Sequence, residues 1–268
     1  SALNGAFDLI GPVDEPVRVC MLHTVISQVY RDIGDTDAAL RHLEVVRDLA
    51  ISRRLPLMLP FCLPGIANLK LAQGRTEEAL AAYRQSVDGC RQARYVEGLA
   101  QSLRGWGEAL FGLQRFQEAL DPLREAGDLL DQLADRATQL VVWRRLAMAL
   151  DALDRRKESE AVWERVRALC ESTGDDALTL EALNALGVLH WKSGDYERAL
   201  SRYGEARALC ETTNDRVHLG LMLNSIGATL LRLDRFDEAR AVLEDAVHTN
   251  QATEERQPLQ SRLLHGLP

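Results

Sequence analysis

Apolar residues return every three to four positions along most of this chain, the spacing of a helix face rather than the alternation of a strand. The clearest runs are Leu183-x-x-Leu186-Gly187-x-x-His190 and Leu223-x-x-Ile226-Gly227-x-x-Leu230. Each is followed by a second run of the same spacing, Ala199, Tyr203, Ala206 in one case and Ala239, Leu243, Ala246 in the other. Between the two runs lies Gly194-Asp195-Tyr196-Glu197-Arg198-Ala199-Leu200, which recurs every forty residues, with counterparts starting at Gly34, Gly74, Gln114, Asp154 and Asp234. Its alanine falls at Ala39, Ala79, Ala119, Ala199 and Ala239, with Ser159 the one substitution. Six occurrences in unbroken register predict six units, each a first helix (A) and a second helix (B). The connection between them is so short that A and B must form an antiparallel hairpin.

Local signals agree with this period. Gly107, Gly187 and Gly227, with Ala67 and Ala147 at the same place, leave room on A for the alanine series on B. Asp35 and Asp195 can accept from the opening turn of B, and Glu77, Glu118, Glu197 and Asp237 put negative charge near the positive end of its dipole. Gly174 and Asn214 tolerate the left-handed backbone that closes a helix, after which Asp175 and Asp215 start the next A helix. The predicted units are about 18–54, 55–94, 95–134, 135–174, 175–214 and 215–254, all within a single domain over 1–268. Ser1 to Pro12 aligns with the B helices, Leu3 on Leu43, Ala6 on Val46 and Leu9 on Leu49, so residues 1–17 read as a partial helix of a preceding unit. Residues 255–268 read as a partial or capping helix, with Leu259 to Leu267 the start of another A helix and the chain a piece of something longer.

The pattern Leu183-x-x-Leu186-Gly187-x-x-His190, Gly194-Asp195-Tyr196, Ala199-x-x-x-Tyr203-x-x-Ala206 resembles the tetratricopeptide repeat. It departs from the family in its period of forty rather than thirty-four, and in lacking the proline late in B. The fourth unit departs further, with Arg156 for the turn aromatic and Ser159 for the alanine. Forty-residue variants are similar to the arms of bacterial transcription regulators of the MalT and SARP types and to LGN-type scaffolds. The resemblance implies an all-α fold, a right-handed superhelical solenoid of antiparallel helix pairs, with the A helices lining a concave wall and binding as its work.

Composition narrows the partners. Net charge is −8 and spread along the chain, which argues against direct nucleic-acid binding and for a neutral or mildly basic partner. No apolar stretch reaches the roughly 20 residues of a membrane span. Leu55 to Leu69 comes nearest, and its prolines 56, 60 and 64 make it a kinked buried helix. Without a leader pattern the expected location is the cytoplasm. No Gly-rich phosphate loop, His-Glu-x-x-His, Gly-x-Ser-x-Gly or calcium loop is present, so neither an enzyme nor a cofactor is expected.

Cys90, Cys170 and Cys210 share one position of their units, taken by Ala50 and Leu130 elsewhere, which is core behaviour. Packed helix axes stand about 8–10 Å apart, while thiolates on one zinc sit within about 4 Å of each other, so no metal is expected. Cys20 and Cys62 read as buried free thiols and His190 as structural. Arg155-Arg156-Lys157, in the fourth A–B turn beside Glu158 and Glu160, reads as a solvated loop.

The A positions pointing away from B form one row, Thr24, Pro64, Arg104, Arg144, Asn184 and Asn224, and a second row includes Gln28, Asn68, Glu108, Met148, Val188 and Ala228. Asn184 and Asn224 can both donate to and accept from a peptide backbone. Arg104 and Arg144 suit a carboxylate or phosphate, and Trp191 offers a flat apolar anchor. The expected ligand is a protein or peptide in this groove, the chain acting as the regulatory or sensor arm of a larger regulator. A small-molecule effector bound by Met58, Phe61, Pro64, Gly65 and the arginines is the alternative, and end-to-end self-association a further partner mode.

Overall fold

The computed structural model describes residues 15–264, with side chains as far as Gln251. Among the described residues the chain is all-α. The A helices are α1 (Glu15–Asp32), α3 (Leu59–Ala72), α5 (Val96–Gly112), α7 (Arg136–Ala152), α9 (Asp176–Lys192) and α11 (Arg216–Arg232). The B helices are α2 (Thr36–Ser52), α4 (Thr76–Ala93), α6 (Phe116–Gln132), α8 (Arg156–Thr173), α10 (Tyr196–Thr213) and α12 (Phe236–Leu264).

They fall into two compact units that divide between Leu153 and Asp154, in the fourth A–B turn. In the first unit, α2 packs on α1 and α3, α4 on α3 and α5, and α6 on α5 and α7. The A helices α3, α5 and α7 also touch in succession, forming one wall. In the second unit, α9 packs on α8 and α10, and α11 on α10 and α12.

The hairpins close because small residues let the backbones approach. The alanines 39, 79, 119, 199 and 239 and Ser159 are fully buried. A Cβ placed on Gly107 would lie 2.6 Å from the Leu123 side chain, which occupies the space a larger residue would need. Every A–B turn passes through one left-handed residue, at Gly34, Gly74, Gln114, Asp154, Gly194 and Asp234. Every described B–A turn does the same, at Arg54, Arg94, Ala134, Gly174 and Asn214.

Helix starts use two devices. Asp35 and Asp195 cap α2 and α10 by accepting from Ala38 N–H (2.9 Å) and Arg198 N–H (3.3 Å), and Asp175 and Asp215 cap α9 and α11 likewise. Where the B cap is arginine, the residue three positions on is glutamate. The pairs are Arg75–Glu78 (2.6 Å), Arg115–Glu118 (2.7 Å), Arg155–Glu158 (2.6 Å) and Arg235–Glu238 (2.7 Å). The pair keeps a carboxylate in the first turn, where negative charge complements the positive end of the helix dipole without a capping hydrogen bond.

Three local expectations change. The segment from Leu55 opens with a 3-10 turn, Pro56–Met58, and α3 begins only at Leu59, because Pro56 and Pro60 withhold N–H donors from a longer helix. It is not uniformly buried, since Phe61 is 55% exposed. Arg156 and Lys157 lie in the first turn of α8 rather than in a loop, with Arg156 on Asp154 at 2.8 Å. The last helix continues without a turn through position 254 to Leu264, where a new A helix was expected from 259. The alignment of Ser1 to Pro12 with a B helix, and residues 265–268, lie outside the described residues.

Candidate functional site

In the first unit, the expected binding residues on the A helices are largely engaged with their own neighbours. Arg104 on α5 donates to Gln101 Oε1 at 3.1 Å and to Glu108 Oε1 at 3.2 Å, so the guanidinium and the carboxylate one turn on compensate each other. Exposed Asn68 on α3 accepts a 2.5 Å hydrogen bond from the Tyr83 hydroxyl of α4. Gln28 on α1 donates to Asp32 Oδ1 at 2.7 Å, and Arg144 is half-buried on α7.

The same unit holds an apolar cleft of about 280 Å3 lined by Met21, Thr24, Val25, Val46, Met58 and Phe61. Met58 and Phe61 stood out in the sequence, but Met21 and Val25 did not. The forty-residue register places Met21 opposite Phe61, which was the available signal. Val25 is 57% exposed there, and the Phe61 ring leans on Tyr95 at 5.9 Å between centroids.

In the second unit, a cleft of about 380 Å3 opens between α9 and α11. Leu180, Leu221 and Met222 supply its apolar lining, and Glu181, Asn184, Asp215 and His218 its polar groups. Asp215 is held twice, accepting from His218 N–H at 3.1 Å as a helix cap and meeting His218 Nδ1 at 2.6 Å through its other oxygen. Asn184 is half-buried at this cleft, while Asn224, exposed on α11, is not part of its lining. Neither amide makes a side-chain hydrogen bond among the described residues. Trp191 at the end of α9 stands edge-on to Tyr196 at 6.2 Å, with the Arg232 guanidinium 5.5 Å over its ring, so the indole is clamped within its own unit. Sequence reasoning missed Glu181, His218 and Leu221. Glu181 and Leu221 share a register row with Met21 and Phe61, three residues before the row of Thr24 and Asn184.

Five cysteines are free and buried, and burial pushes the Cys62 thiol up to about 12 and those of Cys170 and Cys210 up to about 11. Such thiols stay protonated and behave as small apolar side chains. Among the described residues no three His, Cys, Asp or Glu side chains gather as metal ligands, and no helix is long and apolar enough to cross a membrane.

Several solved structures share this arrangement. A signal-transduction ATPase with a tetratricopeptide repeat sensor, from Pyrococcus horikoshii, superposes with TM-score 0.70 at 13% identity; the match covers 98% of this chain and 40% of that one. BtubC from P. vanneervenii matches with TM-score 0.60 at 18% identity, over 82% of this chain and 91% of that one. The repeats of a putative kinesin light chain from Podosopora anserina match with TM-score 0.59 at 20% identity, over 76% and 99%. At these identities the likeness is one of fold. No curated protein matches the sequence. The sequence itself fits two tetratricopeptide repeat profiles, one over residues 61–132 and 138–212 and the other over 190–263. With helix pairs every forty residues, small residues at their crossings and profile matches over more than half its length, the chain belongs to the tetratricopeptide repeat family.

Proposed function

We propose that this chain is an interaction module that binds an extended peptide segment of another protein, with the cleft between α9 and α11 as its contact surface. The observation that carries the reading is an apolar-lined cleft with Asn184 in its lining, together with Asn224 exposed beyond it on α11, the amides of both being unengaged by the chain itself. An amide of this kind can grip a peptide backbone without reading side chains, and Leu180, Leu221 and Met222 can receive an apolar one. The fold shared with the repeat sensor of the signal-transduction ATPase supports the further reading that the module is the sensor or regulatory arm of a larger regulator.

A random-peptide display library panned on the full chain tests this. Binders should be recovered, and Asn184→Ala and Asn224→Ala should each weaken them by about 1 kcal/mol, roughly fivefold, at unchanged helicity. Unchanged affinity in the double variant would end the proposal.

The apolar cleft of the first unit favours a second reading, a small apolar effector held by Met21, Val25, Met58 and Phe61. A metabolite screen by thermal shift separates the two readings, since a ligand of this cleft loses its stabilising effect in Phe61→Ala and keeps it in Asn184→Ala.

A further inference from the structure

The first hairpin differs from the others in its core. His23 on α1 stands at the position that holds Leu63, Leu103, Trp143, Leu183 and Leu223 in the later repeats, all of them buried. Its Nδ1 lies 2.8 Å from Nδ1 of His42 on α2, and the His42 ring stacks on Tyr30 at 5.4 Å between centroids, with the planes 13° apart. Both imidazoles are half-buried. Two ring nitrogens at this separation share one proton, one ring donating and the other accepting.

No carboxylate compensates a second proton. Among the described residues, His23 and His42 make no ion pair and no hydrogen bond except to each other. The charged groups of the packed helices are held elsewhere: Asp32 by Gln28, Glu44 and Asp48 by Arg47, Asp37 by Gln73, and Lys70 by Glu78. Glu15, Arg18, Arg31 and Arg41, the other charged side chains on α1 and α2, bond to neither ring. Tyr30 meets His42 only through its ring. A shared metal is the poorer reading, because two nitrogens on one tetrahedral ion at about 2.0–2.1 Å would stand about 3.3 Å apart.

We propose that the first hairpin is a proton-gated latch, in which one proton between the Nδ1 atoms of His23 and His42 holds α1 on α2, and release comes when both rings are imidazolium, so that two N–H donors and two positive charges face each other. Release would also dismantle the apolar cleft, since Met21, Thr24 and Val25 ride on α1. The sign follows from the burial of His23 and the presence of His42, which together hold its imidazole below the ordinary value of 6.5. The separated helices bind the second proton more readily than the hairpin does. Stability is therefore full above that value and is lost as pH falls through and below it.

Hydrogen exchange of the full chain near pH 7.5 and pH 5.5, corrected for intrinsic rates, reads the latch. Amides in α1 and α2 should open several-fold more readily at the lower pH, while those in α9 and α10 hold. His23→Leu restores the residue of the other repeats, keeps the core filled, and should abolish the pH effect. Equal acceleration in His23→Leu, or acceleration spread evenly over all helices, would overturn the proposal. So would zinc or nickel at neutral pH that protects α1 and α2 in the wild type and not in His23→Leu, which would make the pair a metal site.

Discussion

On α5, Arg104 is taken up by Gln101 and Glu108; on α9 and α11, Asn184 and Asn224 have no such partner. The two units thus carry polar residues at equivalent positions of their A helices and leave them in opposite states. The difference comes from residues one helical turn away. Glutamate follows Arg104 at four residues, whereas Val188 and Ala228 follow the asparagines. A charged side chain with an opposite charge at that spacing satisfies itself, and an amide followed by an aliphatic residue cannot. Which polar groups the chain leaves unengaged is decided by these spacings as much as by the identity of the row.

The first way to break this comparison is to ask whether the two faces rest on equally firm cores. Leu123→Ala in the first unit should cost about 2–5 kcal/mol and Tyr203→Ala in the second a similar amount, since both are buried against a hairpin partner. Chemical denaturation measures both. A much smaller loss for Tyr203→Ala would mean that the unengaged asparagines reflect loose packing.

A finer comparison uses Tyr83→Phe, which removes the hydroxyl that holds Asn68 and should lower stability by about 1 kcal/mol. The variant gives the first unit an asparagine in the state of Asn224. A gain of peptide binding in the first unit would show that partner removal is sufficient, and fluorescence titration with the library binders reads it.

Arg104→Ala should change peptide binding by less than about 0.5 kcal/mol, because a half-buried pair already closed within one helix offers little to a ligand. A loss as large as that for Asn184→Ala would place the ligand on both faces.

The smallest effect is a pH limb. Arg75, and then Lys70, hold the Glu78 carboxyl down to about 2 through hydrogen bonds. A depressed carboxyl contributes stability above its ordinary value of 4.5, lost as pH falls towards 2. Glu78→Gln should flatten that limb in acid titrations followed by circular dichroism.

Much of this was legible in the sequence because the repeat averages over local irregularity. The five alanines and Ser159 at the hairpin crossings, the caps at Asp35 and Asp195 and the left-handed residues Gly174 and Asn214 all follow from spacing and backbone chemistry. The 3-10 entry to α3 was not legible, since a proline marks a helix start and a helix break with equal force. Nor were the arginine–glutamate pairs at the B caps: the charge of Glu118 near the dipole was readable, but its pairing with Arg115 depends on rotamers. At the candidate site the register gave which A positions are equivalent, but not the engagement of Arg104, Asn68 and Trp191. That depends on rotamers and on the neighbouring helix, as Tyr83 and Arg232 show.

The turns carry a consequence for how such a chain can change. Glycine, glutamine and aspartate adopt the same left-handed geometry at successive A–B turns, so the shape of the link is dictated by the helices it joins. Residues there are exchangeable, but their number is not. Losing one would rotate the following helix by about 100° and swing its charged flank toward the interior, whereas losing a whole forty-residue block would leave every remaining helix facing as before. Insertions and deletions in a molecule of this kind are therefore tolerated in quanta, and its length can drift only by whole hairpins.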